Sequence, residues 1–322
     1  MKYHFLSYRK LLALKCYDFV LKKMYKNEAK FDKPTYLLTK NLTPKESKEI
    51  NRVGLYFDDK KNLVIIKKHK FRKIDAIFLY LLNEASVLSM LSKLAKPRAK
   101  VSVPNLIKFG VYKNELLVVT EFVSGKTVSD FNIDDLADIL SRSLKYLSEI
   151  SGEFKKKEYG MMKKSGLYFL AVFPIILVKL FLRSPRHLII FSKLSIYFYW
   201  NYLLGKPLNK SLCLTHCELF QDSILFDKKS GQIKLIDWEA AIMSDKYYEL
   251  ALITRYYFET LDSKQLNMLT KLRVKSLSDF RRYKALAIFA GLEFLLNRSF
   301  NKTSMNTAVR YFNSIISLNY SI

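Results

Sequence analysis

The stretch LCLTHCELFQDSILFDKKSGQIKLIDWEAA, residues 212 to 241, constrains this chain more than any other. An alternating apolar run, Leu212 and Leu214, delivers His216 and Glu218 just past its end. A second run, Ile233, Leu235 and Ile236, delivers Asp237. Between them, Ile224–Leu225–Phe226, the polar turn Asp227–Lys228–Lys229–Ser230–Gly231 and the segment from Gln232 read as a β-hairpin with glycine at the bend. A hairpin rooted in a core would hold Glu218 and Asp237 near one another at its open end. Two converging carboxylates suit one of two tasks: holding a divalent cation, or pairing a base with a metal ligand.

This order resembles the catalytic segment of the kinase-like small-molecule phosphotransferases, the superfamily of aminoglycoside phosphotransferases, choline kinases and lipopolysaccharide kinases. Their pattern is His-x-Asp, four residues, Asn, then a hairpin ending in Asp. His216 matches the histidine, Glu218 stands where the catalytic aspartate is expected, and Ser223 stands where the asparagine is expected. Asp237, in Ile-Asp-Trp-Glu, matches the metal-binding aspartate, and SDKYYELALI at 244 to 253 is similar to the helix-opening segment that follows.

The N-terminal half carries the other parts in the expected order. Tyr36–Thr39, Val53–Phe57 and Leu63–Ile66 are short β-type runs, with Asp58 to Asn62 as the turn between the last two. Ile65-Ile66-Lys67-Lys68 is similar to the Val-Ala-Ile-Lys strand of kinases and puts Lys67 in the place of the phosphate-binding lysine. Phe71 to Leu94 has helical apolar spacing, and Glu84, 17 residues after Lys67, suits the glutamate that orients that lysine. Val103 to Gly110 looks like a further strand. The run from Glu115 to Gly125 resembles the strand and linker whose backbone hydrogen-bonds the adenine of ATP; Glu121 and Val123 would carry that role. A glycine-rich phosphate loop is missing from Lys40 to Asn51, which contains no glycine. Taken singly, each of these residues also has a plainer reading: a solvated lysine, a helix-surface carboxylate, an edge strand.

The resemblance implies an α+β, bilobal, protein-kinase-like fold. A small antiparallel-sheet lobe with one helix would span 35–122, and a larger, mainly α-helical lobe 123–322. By apolar spacing, residues 1–34 are expected to be a basic helical extension. It further implies ATP and Mg²⁺ as cofactors, with Asp237 and Ser223 as metal ligands, Glu218 as the base and His216 supporting the loop. Glutamate for aspartate moves the carboxylate outward by one methylene, about 1.5 Å. A misplacement of about 1 Å can slow a reaction on the order of 10²-fold. Serine hydroxyls ligate Mg²⁺ in P-loop enzymes, and Asp222 is a neighbouring candidate. An active or attenuated phosphotransferase is therefore favoured over a silent kinase-fold binding module.

Charge and hydropathy bear on the partners. The balance of 55 Lys+Arg against 29 Asp+Glu, a net +26, predicts attraction to anions, or else simply a solvated, lysine-rich surface. No specific nucleic acid is expected. Three cysteines (Cys16, Cys213, Cys217) do not make a disulfide framework and suit a reducing, cytoplasmic setting. No signal peptide is visible. The most hydrophobic segment, Leu167 to Leu182, contains Pro174 and Lys179 and falls short of the ~20 apolar residues of a spanning helix. It reads as a buried helix of the larger lobe, or as an interfacial segment flanked by Lys163, Lys164, Arg183 and Arg186 and suited to the inner membrane face. The expected acceptor is a hydroxyl of a small molecule, sugar or lipid-linked glycan. Because residues 151–211 hold only two acidic residues, Glu153 and Glu158, a cationic acceptor is disfavoured.

Overall fold

The computed structural model describes residues 37–41, 53–58, 60–70, 76–94, 100–112, 115–127, 133–155, 163–164, 166–205, 212–297 and 302–320. The expected N-terminal extension and most of the segment 40–51, where a phosphate loop would stand, lie outside them. In chain order the strands are β1 (Leu37–Asn41), β2 (Val53–Phe57), β3 (Leu63–Lys70), β4 (Val101–Ser102), β5 (Leu106–Tyr112), β6 (Glu115–Glu121), β7 (Lys126–Thr127), β8 (Lys163–Lys164), β9 (Leu212–Thr215), β10 (Ile224–Asp227), β11 (Gln232–Leu235) and β12 (Ile242–Asp245). The helices are α1 (Ala76–Leu94), α2 (Ile133–Lys155), α3 (Gly166–Arg183), α4 (Leu188–Leu204), α5 (Tyr248–Tyr256), α6 (Ser263–Arg273), α7 (Leu277–Asn297) and α8 (Lys302–Ser317).

The chain divides into two compact units. The first comprises residues 1–129, 158–161 and 221–241. Its main sheet has the order β1-β2-β3-β6-β5, and every pairing is antiparallel. Alternation along β3 sends Val64 and Ile66 inward, where they meet Leu117 and Val119 of β6, and Tyr56 packs against the cluster. The turn before β3 closes on Asp58, whose carboxylate accepts the backbone N–H groups of Lys60 and Asn62 at 2.9 and 2.7 Å. Burial of Phe78, Leu81, Leu82, Ala85, Leu88 and Leu91 gives α1 its inward face.

The hairpin β10–β11 also belongs to this unit, in register Ile224↔Leu235 to Asp227↔Gln232, with β7 and β4 on its flanks. Its turn has the expected chemistry. Asp227 accepts from Lys229 N–H and the Ser230 hydroxyl, while Gly231 adopts a positive φ of 66°, a region closed to most side chains.

The second unit comprises residues 130–157, 162–220 and 242–322 and is mainly helical, with a small sheet β8-β12-β9. The buried residues Leu136, Ile139, Leu140, Leu144, Leu147 and Ile150 form one face of α2. Helix α7 is the hub against which α3, α4, α5 and α8 pack. Gly291 on α7 allows this approach, since a Cβ there would lie 2.5 Å from the Tyr311 ring and 2.7 Å from that of Phe312 on α8. Arg282, buried on α7, donates to Asp245 at 2.9 Å and to the Tyr202 hydroxyl.

One sequence reading changes here. The apolar segment 167–182 is helical, but only part of it is core. Phe169, Phe173, Ile176, Leu177 and Leu180 are buried, whereas Leu167, Ile175, Val178 and Leu182 are exposed. The segment is apolar on both faces, so its composition could not say which face the rest of the unit covers.

Candidate functional site

In the first unit, β3 presents Lys67 opposite Val53 and Val118. Its ammonium donates to Glu84 Oε1 at 2.8 Å, Asp237 Oδ1 at 2.8 Å and Glu239 Oε1 at 3.1 Å. Glu84 comes from α1; Asp237 and Glu239 come from the segment leaving β11. Burial works against the Lys67 charge, but the three carboxylates outweigh it and raise its pKa. Burial pushes Glu84 the other way for an acid, up to about 7, helped by Glu239 and Asp237 and opposed by Lys67. The second oxygen of Glu84 is buried without a hydrogen-bond partner, which agrees with that direction.

The segment that carries the two acids is held from three sides. Asp237 takes a left-handed backbone conformation with φ 65°, a departure that lets the chain turn sharply out of β11. Trp238, fully buried, donates its indole N–H to Leu235 O at 2.8 Å. Asn83, the residue before Glu84, donates both amide hydrogens back to this segment, to Glu239 O at 2.9 Å and Ala241 O at 2.7 Å. Adjacent residues of α1 therefore fix the lysine and the acid-bearing turn together. Ser223 is buried at the foot of the hairpin, where its carbonyl accepts from Ile236 N–H at 2.9 Å, and Asp222 beside it is exposed.

Glu121 closes β6. Its N–H donates to Asn105 O at 3.0 Å and its carboxylate accepts from the Asn105 side chain at 2.7 Å. With that N–H committed, any adenine contact from Glu121 would fall to its carbonyl. Phe122 N–H continues to Leu63 O at 3.1 Å, and Val123 is buried.

In the second unit, β9 runs into His216, Cys217 and Glu218. Helix α5 holds this loop. Buried Glu249 accepts the backbone N–H of His216 and, at 3.2 Å, that of Cys217. The Tyr257 hydroxyl, just after α5, donates to Leu219 O at 3.1 Å, and Phe220 stacks on Tyr256 with ring centres 4.2 Å apart. Cys217 has a positive φ of 69°, so the loop is sharply bent where Glu249 grips it. Burial pushes Glu249 up to about 7, opposed by the N–H groups of Cys217 and His216; its other oxygen is buried and has no hydrogen-bond partner. His216 is fully buried and Glu218 half-buried. Behind the loop, Lys164 donates at 3.2 Å to both Tyr248 Oη and Glu293 Oε1.

Of the residues singled out in the sequence, the first unit thus brings Lys67, Glu84 and Asp237 to one point. Glu121 and Val123 lie at the end of the same sheet, and Ser223 at the base of the hairpin. Sequence reasoning missed Glu239, Asn83 and Glu249. Glu239 had a signal, its place two residues beyond Asp237. Asn83 had none, because an amide next to a helix glutamate is unremarkable until the carbonyls it faces are known.

The sequence matches no family model, and no curated protein matches it. Solved structures do resemble its fold. A thermostable mutant of aminoglycoside phosphotransferase APH(4)-Ia, in ternary complex with AMP-PNP and hygromycin B, superposes with a TM-score of 0.56 at 14% identity over 92% of this chain and 96% of that one. An aminoglycoside phosphotransferase from Alicyclobacillus acidocaldarius gives 0.56 at 14% over 87% and 88%. The macrolide 2′-phosphotransferase MphH from Brachybacterium faecium gives 0.52 at 14% over 81% and 88%. The chain therefore has the kinase-like phosphotransferase fold, the α+β architecture its motif order implied.

Proposed function

We propose that the protein is an ATP-dependent phosphotransferase that moves the γ-phosphoryl group to a hydroxyl. The observation that carries this reading is the sharing of the Lys67 ammonium among Glu84, Asp237 and Glu239. A lysine oriented by a helix glutamate and facing an acid at a hairpin end is the arrangement that places positive charge and a metal on nucleotide phosphates.

The donor set fits Mg²⁺. Three carboxylates on one ammonium leave surplus negative charge, and hard oxygen donors are what this cation selects. Asp237, whose side chain is 47% exposed, and Glu239 would hold it, with Ser223, whose carbonyl accepts from Ile236 N–H across the foot of the hairpin, or its neighbour Asp222 as a further ligand. When bound, the cation neutralises phosphate charge. The protein's own groups do the rest. Lys67 would bind phosphate oxygens, the backbone of Glu121 and Val123 would seat the adenine, and Glu218 would accept the acceptor's hydroxyl proton. The acceptor oxygen bonds phosphorus as the bond to the departing ADP oxygen breaks. Glu249 would act by positioning the loop that carries Glu218.

For the acceptor we favour a sugar or lipid-linked glycan hydroxyl, used at the cytoplasmic side of a membrane. No acidic residue lies between Glu158 and Glu218, so this region has little with which to hold a polyamine. The second reading, a silent binding module, draws on Glu218 and Ser223 standing where aspartate and asparagine are expected. Phosphoryl transfer from labelled ATP to a panel of sugars, lipid extracts and aminoglycosides, run beside Asp237→Ala, decides between them. Nucleotide binding without turnover on any acceptor favours the module. Absence of Mg²⁺–ATP binding in both proteins rejects the phosphotransferase.

A further inference from the structure

Helices α3 and α4 form an apolar, basic surface that the second unit leaves open. Each helix is hydrophobic on two opposite faces. On α3 the buried face is Phe169, Phe173, Ile176 and Leu180, and the exposed one carries Leu167 at 72% exposure, Val178 at 55% and Leu182 at 79%. On α4 the buried face is Phe191, Leu194, Phe198 and Tyr202, and the exposed one carries Ile189 at 71%, Ile196 at 70% and Trp200 at 64%. With Ile175 at 52%, the positions on α3 are 8, 3 and 4 residues apart and those on α4 are 7 and 4 apart, near-whole helical turns, so each set lies along one face, with Lys193 among those of α4. Both buried faces pack toward α7, which directs both stripes away from it. Large aliphatic side chains gathered this way mark an interaction site and are not the scattered single exposures of an ordinary surface.

The charge pattern identifies what covers it. The helices and the turn between them carry Lys179, Arg183, Arg186 and Lys193, all exposed, and no acidic residue. The acid-free stretch extends from Tyr159 to Cys217. A protein partner for such a patch would have to supply both an apolar groove and an acidic rim. An anionic bilayer supplies an apolar interior beneath a negative surface over any area. Trp200 lies on the apolar stripe, and this residue type favours the interface between headgroups and acyl chains. Against the shortfall read from the sequence, the 18 residues of helix α3 are long and apolar enough to cross a membrane by length and composition, but one of its faces is filled by the protein's own core. That geometry favours lying in the interface over spanning it.

We infer that the α3–α4 surface docks the protein peripherally on an anionic membrane, with Leu182, Ile189, Ile196 and Trp200 entering the acyl boundary and Lys179, Arg183, Arg186 and Lys193 at the headgroups. This specifies the membrane side of the acceptor reading above, yet it does not depend on phosphoryl transfer.

The chain's two tryptophans make the test direct, because Trp238 is fully buried and Trp200 is not. Full-length protein is mixed at low salt with phosphatidylglycerol vesicles or phosphatidylcholine vesicles, each containing brominated acyl chains. Tryptophan quenching and flotation are read together. The expected result is quenching and flotation with the anionic vesicles, and little of either with the zwitterionic ones. Trp200→Phe should abolish the quenching while flotation persists. Leu182→Ser/Ile189→Ser/Ile196→Ser should weaken flotation about tenfold or more, while the Mg²⁺–ATP thermal shift stays at its wild-type value and reports an intact fold. Replacing the four cations by glutamine should remove the preference for anionic lipid. No binding to anionic vesicles, or binding untouched by the triple serine variant, overturns the inference. So does lipid-independent, concentration-dependent shielding of Trp200, which would assign the surface to a second copy of the chain. Wild-type protein that binds nucleotide but no anionic vesicles sinks this inference alone; wild-type protein that binds the vesicles but no nucleotide sinks only the functional reading.

Discussion

Lys67 and Asp237 lie 170 positions apart in the chain and meet at 2.8 Å. The lysine comes from the middle of a five-stranded sheet, and the aspartate from the turn leaving a separate hairpin in the same unit. Glu84 and Glu239 complete the group around one ammonium.

Asp237→Ala should abolish the stabilisation that Mg²⁺–ATP gives the wild-type protein while changing the melting temperature of the free protein by only a few degrees. The aspartate side chain is nearly half exposed, and Lys67 retains two other carboxylates. A thermal shift titration checks both halves. Full nucleotide stabilisation in the variant would remove Asp237 from the site.

Lys67→Met should destabilise the fold by about 3 kcal/mol, the usual cost of leaving buried acids without their counter-charge. The Glu84 side chain is 3% exposed and that of Glu239 14%. Adding Glu84→Gln to this variant should restore part of the loss, since one orphaned charge is then gone. Urea midpoints of the two variants provide the comparison.

Glu249 makes stability depend on pH. Its folded pKa lies near 7, above the ordinary carboxylate value of 4.5. Between these values the folded state binds more protons than the unfolded one, so stability falls as pH rises from about 4.5 to 7. Glu249→Gln, which resembles the protonated form, should remove a loss of about 3 kcal/mol over that range. Unfolding midpoints at closely spaced pH values read it directly; an unchanged slope would mean that Glu249 stays ionised throughout.

Glu218→Gln should lower kcat by about 10²- to 10⁴-fold, the range for loss of a general base, and leave the KM for ATP unchanged. Glu218→Asp should retain activity, because it keeps the carboxylate. Equal losses in both variants would indicate a role in loop structure and not in proton transfer.

The sequence by itself determined the longer strands of the first sheet, the hairpin, several of the helices and the order of the site's parts. Short β-type apolar runs bounded by polar turns placed β2 and the hairpin β10–β11. The turn Asp58 to Asn62 and the bend at Gly231 were readable because their chemistry is local, a carboxylate accepting nearby N–H groups or a glycine taking a positive φ. The Lys67–Glu84 pairing was legible through the resemblance to kinases, which pairs the strand lysine with a glutamate of the following helix, here 17 residues on. Only the tertiary structure decided that Glu239 joins the lysine, that Asn83 clamps the acid-bearing turn, that Glu249 grips the loop of His216 and Cys217, and that the apolar segment at 167–182 is covered on one side alone. Each depends on which surface faces which, and hydrophobic periodicity carries no such information in a helix apolar on both sides. Nor can it say which backbone groups a buried amide or carboxylate will find, since that is set by partners remote in the chain.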